Sequence, residues 1–365
     1  MILNKKTKLF ERYSKHTTIF WQPRFSRLLL YCFLNTVKIK IESAKHYHMS
    51  LNLPDFSDIE AAHKRIQPYV HRTPVLTSSY FNEKTGASLF FKSENFQKIG
   101  AFKFRGAFNA ISKLSDKDGK KGIVTHSSGN HAQAVALAAR MNSYSATIVM
   151  PENAPKVKVN AVRGYGAEII FCENTTEARE AAAQKVIHET GATFIHPYNH
   201  PDVIAGQGTA AKELLEEQPV LDIIMAPVGG GGLISGTAIW AKHYNLGIKI
   251  IGAEPKWADD AFRSFKSGKI ESVLRTDTVA DGLRTSLGDL TFQAIQSNVD
   301  DIVTTSEDVI IQTMRDIWER MKIIIEPSCA VPLAAIIENK MEVNNLRIGI
   351  ILTGGNVDLE NLPFG

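Results

Sequence analysis

The chain has 365 residues, of which 44% are hydrophobic, and its formal net charge is +4. This composition is typical of a globular protein of roughly two domains, and no uninterrupted apolar run reaches the ~20 residues that a membrane-spanning helix needs. Its cysteines, Cys32, Cys172 and Cys329, show no spacing typical of a metal cluster or a disulfide framework. They therefore favour a reducing compartment, and we expect a cytoplasmic protein without a membrane partner.

The positive charge is concentrated in residues 1–48. This segment holds ten Lys or Arg and two acids, Glu11 and Glu42, which gives +8, so the remainder carries +4 − 8 = −4. The mildly acidic remainder argues against nucleic-acid binding. Residues 1–48 could be an organelle-targeting peptide. We favour the alternative that they are disordered or not native, with Met49 as the true start.

Apolar spacing predicts helices and strands in regular alternation. In the first half, the prediction is helix 55–70, strand 88–92, helix 104–114, strand 122–125, helix 133–141, strand 146–150, helix 155–165, strand 167–171, helix 177–190 and strand 193–195. In the second half, it is helix 206–217, strand 223–227, a helix ending at Tyr244, strand 248–253, helices 306–321 and 328–338, and strand 347–352. This alternation predicts an α/β fold with mostly parallel sheets.

We expect two domains, each an open twisted sheet flanked by helices. Residues 120–198 are predicted to form a small domain, and residues 49–115 together with 200–365 a large one.

Lys103 lies in the segment 93–107, SENFQKIGAFKFRGA, between Phe102 and Phe104. A lysine held against an apolar wall loses hydration, so the pKa of its amine falls and the amine becomes a nucleophile toward an aldehyde. Taken alone, these residues also fit a solvated lysine at the start of a helix.

Two further motifs each join a strand to a helix. Four consecutive glycines, 229–232, follow strand 223–227, and backbone amides free of side chains can approach a phosphate there. No Gly-Lys-Ser/Thr follows them, which excludes a Walker loop, and the spacing is not GxGxxG. A tight turn would need only one or two glycines, so four in a row favour the phosphate site. Residues 127–132, SSGNHA, could bind a carboxylate through their amides, or Ser128 could simply cap the helix.

Together, these motifs resemble those of pyridoxal-phosphate enzymes of the tryptophan-synthase-β type, and within that type the serine/threonine dehydratase and serine racemase family. The resemblance covers residues 53–363. It implies that pyridoxal phosphate lies in a cleft between the two domains and is bound covalently by Lys103. The implied cofactor-binding residues are Phe102, Lys103, Asn130, Gly229, Gly230, Gly231, Gly232, Leu233 and Thr353, and the implied substrate-binding residues are Ser127, Ser128, Gly129, Asn130 and His131.

The resemblance also implies roles for individual side chains. Asn130 matches the asparagine that bonds the phenolic oxygen of the cofactor, and the four glycines match the loop that holds its phosphate. Thr353 matches the position facing the pyridine nitrogen. Because a hydroxyl cannot hold that nitrogen protonated as a carboxylate would, the ring is a weaker electron sink. We therefore expect β-elimination of water from a β-hydroxy amino acid.

Ser128 and Tyr198 favour different activities within this family. Serine racemases carry Ser at the position of Ser128, where a second acid–base group opposite Lys103 would allow racemisation, whereas many threonine dehydratases carry Ala. Related hydroxyaspartate dehydratases also carry the serine. At Tyr198 the animal racemases have asparagine, and microbial and plant dehydratases often have an aromatic residue.

A metal site and a nucleotide site are also implied. Glu254, Ala258 and Asp260 match a divalent-cation site for Mg²⁺ or Ca²⁺, where two carboxylates and a backbone carbonyl suit a hard cation. Without the resemblance, an acidic surface loop would be the simpler interpretation. An ATP effector site is implied by Lys98, Gln133, Lys158, Tyr165 and Asn356. The resemblance further implies a homodimer.

The function predicted from the sequence is elimination of water from L-serine or L-threonine, which gives a 2-oxo acid and ammonia, with serine racemisation left open as a second outcome. A dedicated serine racemase and a threo-3-hydroxyaspartate dehydratase are the alternatives within the enzyme class. A non-catalytic amino-acid or nucleotide sensor on the same fold is the alternative outside it.

Overall fold

The computed structural model describes residues 52–154 and 156–364, so the predicted extension of residues 1–48 lies outside the described residues. The helices are α1 (Phe56–Ile66), α2 (Ser79–Thr85), α3 (Lys103–Ser112), α4 (Asp116–Gly119), α5 (Asn130–Met141), α6 (Lys156–Gly164), α7 (Thr176–Thr190), α8 (Pro201–Glu217), α9 (Gly232–Tyr244), α10 (Asp260–Ser267), α11 (Asp289–Asn298), α12 (Glu307–Met321) and α13 (Pro327–Ile337). The strands are β1 (Val75–Leu76), β2 (Ser88–Ser93), β3 (Ile123–His126), β4 (Ala146–Pro151), β5 (Glu168–Cys172), β6 (Thr193–Phe194), β7 (Ile223–Pro227), β8 (Lys249–Pro255), β9 (Asp301–Thr305) and β10 (Arg347–Leu352).

These strands form two sheets. The larger has the order β1-β2-β10-β7-β8-β9, and the smaller has the order β5-β4-β3-β6. The β1–β2 pair is antiparallel and the other described pairs are parallel. The expected α/β fold of mostly parallel sheets flanked by helices is confirmed. The boundaries of the two domains stay a prediction.

Each sheet is covered by apolar helices. Strand β7 is buried along its whole length, as a parallel strand with helices on both faces must be. Side chains of β7 and β10 pack with those of α12 and α13 in one core cluster, represented by Met225, Ile350, Met314 and Leu333. Side chains of β3 and β4 pack with those of α3 and α5 in another.

Two helices begin earlier than their apolar pattern predicts. Helix α5 begins at Asn130 rather than residue 133, and α8 begins at Pro201 rather than residue 206. In α8 the His200 side chain accepts a hydrogen bond from the Asp202 amide, and proline occupies the first turn. The first turn of α5 carries polar residues, so the apolar pattern could not reveal it, whereas the first turn of α8 includes the buried Val203 and Ile204 and could have been included. As a result, Asn130 and His131 lie at the amino terminus of α5.

Several elements were not predicted: α2, α4, α10, α11 and β9. Helix α10, for example, is short and has many polar residues, and it is held by Glu254, which accepts hydrogen bonds from the amides of Ala261 and Phe262. Among the described residues, no helix is long and apolar enough to cross a membrane.

The parallel order brings several predicted site residues to equivalent positions. Residues 127–129 follow β3, the glycine loop 229–232 follows β7, and Thr353 follows β10. Ligands of α/β proteins bind at the carboxyl ends of such strands.

Candidate active site

Lys103 is the first residue of α3, and its side chain is half-buried. Its Nζ donates a hydrogen bond to the Pro197 carbonyl oxygen at 2.8 Å and lies 5.2 Å from the centre of the Phe102 ring. Burial lowers the pKa of the amine to about 8, against the opposing charge of Glu326. Phe104 instead points into the core, where it is fully buried. A partly exposed amine with this pKa can act as a nucleophile or a base near neutral pH.

The loop between β3 and α5 leaves a helix terminus open. Gly129 is the N-cap of α5 and provides no side-chain cap. Ser127 accepts a hydrogen bond from the Gly129 amide at 3.3 Å, whereas the Ser128 hydroxyl makes no hydrogen bond with the described residues. Ser128 therefore does not cap the helix. The free amides of the first turn suit a carboxylate.

His131 lies in that first turn and is buried. Its Nε2 contacts the Ile195 carbonyl oxygen at 3.0 Å, while its Nδ1 has no hydrogen-bond partner among the described residues. A carbonyl can only accept, so Nε2 carries the proton and Nδ1 is an acceptor. Burial, with Lys103 nearby, lowers the pKa of His131 well below its usual range. The ring is therefore neutral at physiological pH.

The glycine loop runs from β7 into α9. Gly231 has φ +86° and is the N-cap of α9, again without a side-chain cap. A Cβ on Gly230 would lie 2.3 Å from Cγ of Tyr198, so no side chain fits there. The loop therefore presents backbone amides at the start of a 13-residue helix, which suits a phosphate. Leu233, the next residue, is buried.

Asn130 makes contacts that the sequence did not reveal. Its Nδ2 lies 2.9 and 3.0 Å from the two carboxylate oxygens of Glu326, and its Oδ1 accepts a hydrogen bond from Asn356 at 2.8 Å. Burial and then Asp281 raise the pKa of Glu326 to about 7, although Asn130 opposes this. Sequence reasoning missed Glu326. The available signal is its place just before Pro327 at the start of α13, where it is the N-cap but provides no side-chain cap.

Thr353 is buried beside Cys329. The Cys329 Sγ lies 3.3 Å from the Thr353 hydroxyl and donates to the Gly354 carbonyl oxygen at 2.9 Å. Burial raises the pKa of the Cys329 thiol to about 12, so the thiol is neutral. The Thr353 hydroxyl therefore lies beside the neutral Cys329 thiol rather than beside a charged group.

The two predicted metal-binding carboxylates are both fully buried. Glu254 ends β8 and accepts hydrogen bonds from two amides of α10, whereas neither oxygen of Asp260 has a hydrogen-bond partner among the described residues. The backbone amide of Leu287 lies near Asp260 but lacks hydrogen-bond geometry. Burial and then Asp260 raise the pKa of Glu254 well above its usual range, and burial raises the pKa of Asp260 to about 7.

Ala258, which lies between Glu254 and Asp260 in the sequence, is also buried. In the described part of the chain, no group of three or more His, Cys, Asp or Glu side chains is arranged to hold a metal ion. The predicted site has two carboxylates and a carbonyl, so it does not depend on such a group.

Tyr198 lies against the glycine loop and near the carboxylate pair. A Cβ on Gly232 would contact its Cβ at 3.0 Å. Burial and then Asp260 raise the pKa of its hydroxyl to about 12. The neighbouring His196 accepts hydrogen bonds from the amides of Tyr198 and Asn199, and burial lowers its pKa to about 3.

The five predicted nucleotide-effector residues have separate partners. Lys158 forms an ion pair with Asp281, Asn356 bonds Asn130, and the Lys98 Nζ lies 5.9 Å from the centre of the Phe104 ring. Gln133 is buried and Tyr165 packs against the core. Within residues 52–154 and 156–364, no hydrogen bond or ion pair joins any two of these five.

Comparisons with known proteins identify a family and several relatives. Residues 66–354 match the family model described as pyridoxal-phosphate dependent enzyme. The chain is 50% identical to a beta-hydroxyaspartate dehydratase of Paracoccus denitrificans, over 86% of this chain and 99% of that protein. It is 52% identical to a serine racemase of Arabidopsis thaliana, over 84% and 95%. The crystal structure of serine racemase from Dictyostelium discoideum superimposes with a TM-score of 0.81 at 50% identity, covering 84% of this chain and 99% of that one.

Proposed function

The chain belongs to the family of pyridoxal-phosphate-dependent enzymes, and we propose that it eliminates water from L-serine or L-threonine to give a 2-oxo acid and ammonia. The observation that carries this proposal is the Lys103 amine. Its pKa of about 8 leaves part of the population unprotonated near neutral pH, so it can take up a proton.

The residues present fit pyridoxal phosphate. Bound there, the cofactor would supply an aldehyde that links to an amino acid and a ring that takes up electrons from its α-carbon. The amides of residues 229–232 suit the phosphate. Tyr198 packs so closely on Gly230 that no side chain fits at this position, so the loop offers backbone atoms there. Lys103 suits the aldehyde, Asn130 the phenolic oxygen and Thr353 the ring nitrogen. Phe102 and Leu233 would line the site.

Proton transfer is assigned to Lys103. Its unprotonated Nζ takes the α-proton of the substrate, and the resulting ammonium returns a proton to the departing β-hydroxyl, so that water leaves. The amides of residues 130 and 131, in the first turn of α5, hold the substrate carboxylate, helped by the helix dipole of α5. The neutral Thr353 hydroxyl favours elimination over reactions that need a strongly electron-withdrawing ring.

Serine racemisation is the second candidate, and one observation favours it. The Ser128 hydroxyl neither caps α5 nor bonds another described residue, so it is available to protonate the α-carbon from the face opposite Lys103. The relatives include both racemases and a hydroxyaspartate dehydratase. We therefore expect D-serine as a minor product, and 3-hydroxyaspartate is the third substrate to try.

One experiment tests the main proposal. The full chain is incubated with pyridoxal phosphate and L-serine, and pyruvate and D-serine are quantified in the same sample. We expect mostly pyruvate. Mostly D-serine would instead make the chain a racemase, and a colourless protein without either product would support the sensor alternative.

Lys103→Ala tests the role of the lysine. We expect loss of the near-visible absorbance of the bound cofactor and of both products. Lys98→Ala, five positions upstream, is the matched control and should keep the absorbance. A retained band in Lys103→Ala would place the covalent link at another residue.

Ser128→Ala tests the second acid–base group. The ratio of D-serine to pyruvate should fall by about 100-fold, the lower end of what general acid–base groups contribute. Ser127→Ala is the neighbouring control and should change both products together. An equal loss of both products in Ser128→Ala would leave Ser128 with a binding role alone.

We further propose a divalent-cation site formed by Glu254, Asp260 and the Ala258 carbonyl. The support is Asp260, a buried carboxylate without a hydrogen-bond partner among the described residues. Such a group is costly unless a cation or a proton neutralises it. The ATP effector, the homodimer and the cytoplasmic location remain predictions from the sequence.

A further inference from the structure

A strained turn precedes Lys103. Ile99 has φ 60° and ψ 8°, and Gly100 follows with φ 71°, so two consecutive residues have left-handed backbone. Glycine adopts this conformation freely, but a β-branched residue such as isoleucine does so at a cost of about 1–3 kcal/mol. The Ile99 side chain is buried in the core, which partly offsets that cost. Other contacts must hold the turn as well.

The turn leads directly into the lysine segment. Gly355 donates a backbone hydrogen bond to the Gly100 carbonyl oxygen at 2.9 Å, Ala101 pairs with Gly354, and Phe102 donates to the Thr353 carbonyl oxygen at 3.0 Å. Lys103 then begins α3. The direction in which α3 starts, and with it the position of the Lys103 amine, therefore depends on the conformation of residues 99 and 100.

The side chain of Asn356 lies over this turn. Its Nδ2 donates to the Ile99 carbonyl oxygen at 2.8 Å and to the Asn130 Oδ1 at 2.8 Å. A Cβ on Gly100 would lie 3.0 Å from the Asn356 Oδ1, so the amide packs closely on the glycine. Both partners of Nδ2 are acceptors, and a flipped amide would place its oxygen against two oxygens. The orientation of the amide is therefore determined by its neighbours.

The second bond of Asn356 orients Asn130 together with the Glu326 carboxylate, since both partners require the same placement of the Asn130 amide. Because the Asn130 Oδ1 accepts from Asn356, its Nδ2 must face the Glu326 carboxylate, at 2.9 and 3.0 Å. A single amide side chain thus contacts both the turn before Lys103 and the side chain proposed to bind the phenolic oxygen of the cofactor.

We propose that Asn356 is a positioning residue, which holds the strained turn at Ile99 and orients Asn130, so that Lys103 and Asn130 meet the cofactor together. This proposal rests on the roles proposed above for Lys103 and Asn130. It assigns Asn356 a task that needs no nucleotide, in contrast to the effector role that its position in the sequence suggested.

The test asks whether relieving the strain makes Asn356 dispensable. Ile99→Gly removes the backbone strain, because glycine adopts the left-handed conformation freely. Ile99→Ala is the matched control, because it deletes the same buried side chain but keeps a Cβ and hence the strain. Asn356→Ala is then introduced into the parent chain and into each of these two backgrounds, always in the full chain and without ATP.

The first readout is cofactor affinity, measured by titrating the near-visible absorbance with pyridoxal phosphate. In the parent chain and in the Ile99→Ala background, Asn356→Ala should weaken binding about tenfold, the effect of one or two lost hydrogen bonds. In the Ile99→Gly background the loss should be about threefold or less. An equal loss in all three backgrounds would overturn the proposal, as would an effect of Asn356→Ala that appears only when ATP is added.

The second readout is the pH midpoint of the cofactor band, which a general loss of stability does not move. We expect Asn356→Ala to shift it by about one unit and Ile99→Gly to reverse the part of this shift that comes from the turn, because the bond to Asn130 remains absent. An unmoved midpoint would refute the positioning role. If Asn356→Ala fails to fold, Asn356→Ser, which keeps one donor, gives the same comparison.

A third readout separates this proposal from the proposed function. Without pyridoxal phosphate, Asn356→Ala should lower the thermal stability of the full chain less in the Ile99→Gly background than in the parent chain or the Ile99→Ala background. The reason is that the strain is present in the protein alone. This coupling is expected in the Lys103→Ala background as well. The coupling should be observed even if Lys103 does not bind the cofactor. Its absence would contradict the positioning role of Asn356 and would leave the proposed role of Lys103 unaffected.

Discussion

Two groups of buried charges in this chain have opposite surroundings. In the first, which we call the paired cluster, Lys92, Glu94, Arg105 and Glu213 are all buried, and each cation bonds a carboxylate. Burial acts to raise the pKa of Glu213, but Arg105 and Lys92 overcome it and lower the pKa. In the second, the carboxylate pair Glu254 and Asp260, both groups are negative and both pKa values are raised.

The two groups differ in whether buried charges are compensated by opposite charges. Two cations and two carboxylates sum to zero in the paired cluster, so it can remain ionised in the core and join β2, α3 and α8. In the carboxylate pair, no cation of the described residues bonds either carboxylate: Arg263 donates from Nε to Asp259 and lowers the pKa of Asp260 too little to offset burial. Buried like charges are costly, and they occur where a ligand or a proton neutralises them.

The largest expected effect is that of removing the shared acceptor of the paired cluster. Glu213→Ala leaves Arg105 with Glu94 and, among the described carboxylates, Lys92 with only the longer, 3.9 Å contact to Glu217, which should lower the free energy of unfolding by about 3–5 kcal/mol. Chemical denaturation of the full chain measures this. Glu216→Ala, on the same helix but partly exposed, is the control and should cost less than about 1 kcal/mol. Similar losses in both variants would show that the pairing contributes little.

A smaller effect is expected from loading the carboxylate pair. Mg²⁺ at about 100 times its dissociation constant should stabilise the folded chain by about 2.7 kcal/mol, since it binds the folded state. Asp260→Asn should abolish this gain in a thermal-shift measurement. Asp259→Asn, which alters the carboxylate bonded to Arg263, should retain it. A gain that persists in Asp260→Asn would place the cation elsewhere.

The smallest expected effect is a pH dependence without divalent cation. The folded chain raises the pKa of Asp260 to about 7 from the usual 3.8, so the folded state takes up a proton before the unfolded state does. The contribution of Asp260 to stability should therefore rise as pH falls, by about 1.4 kcal/mol from pH 8 to pH 6, whereas His131 and His196, whose pKa values are lowered, contribute in the opposite direction. Glu326, whose pKa is also raised to about 7, acts in the same direction as Asp260.

The difference between the parent chain and Asp260→Asn isolates the Asp260 contribution. Between pH 8 and pH 6, the change in the free energy of unfolding should be about 1.4 kcal/mol less favourable in Asp260→Asn than in the parent chain. Equal changes would mean that Asp260 is neutralised over this whole range by another group.

The sequence predicted the sheets better than the site. Continuous apolar runs identified β7 and β10 to the residue, because buried parallel strands are mostly apolar, whereas β3 and β8 begin one residue later than predicted and β9 was missed. Helix α10 escaped prediction, because the Glu254 carboxylate rather than an apolar stripe holds its first amides. The local motifs around Lys103 and the glycines were visible because each is contiguous in the chain.

Contacts between distant residues were beyond reach of the sequence. Glu326 bonds Asn130 across 196 positions of the chain, and Asn356 reaches Ile99 across 257. Neither pair has a local pattern that marks it, since the partners meet where the ends of separate strands and helices come together.

By itself, the sequence determined the α/β class, the lysine between two aromatic residues, the glycine loop and the order of the motifs, because all of these depend on residues near one another in the chain. Only the tertiary structure decided which buried charges are compensated, which way the Asn130 amide faces and that Ile99 is strained. These properties depend on the groups that surround a side chain in space, and burial strengthens each such interaction by excluding water.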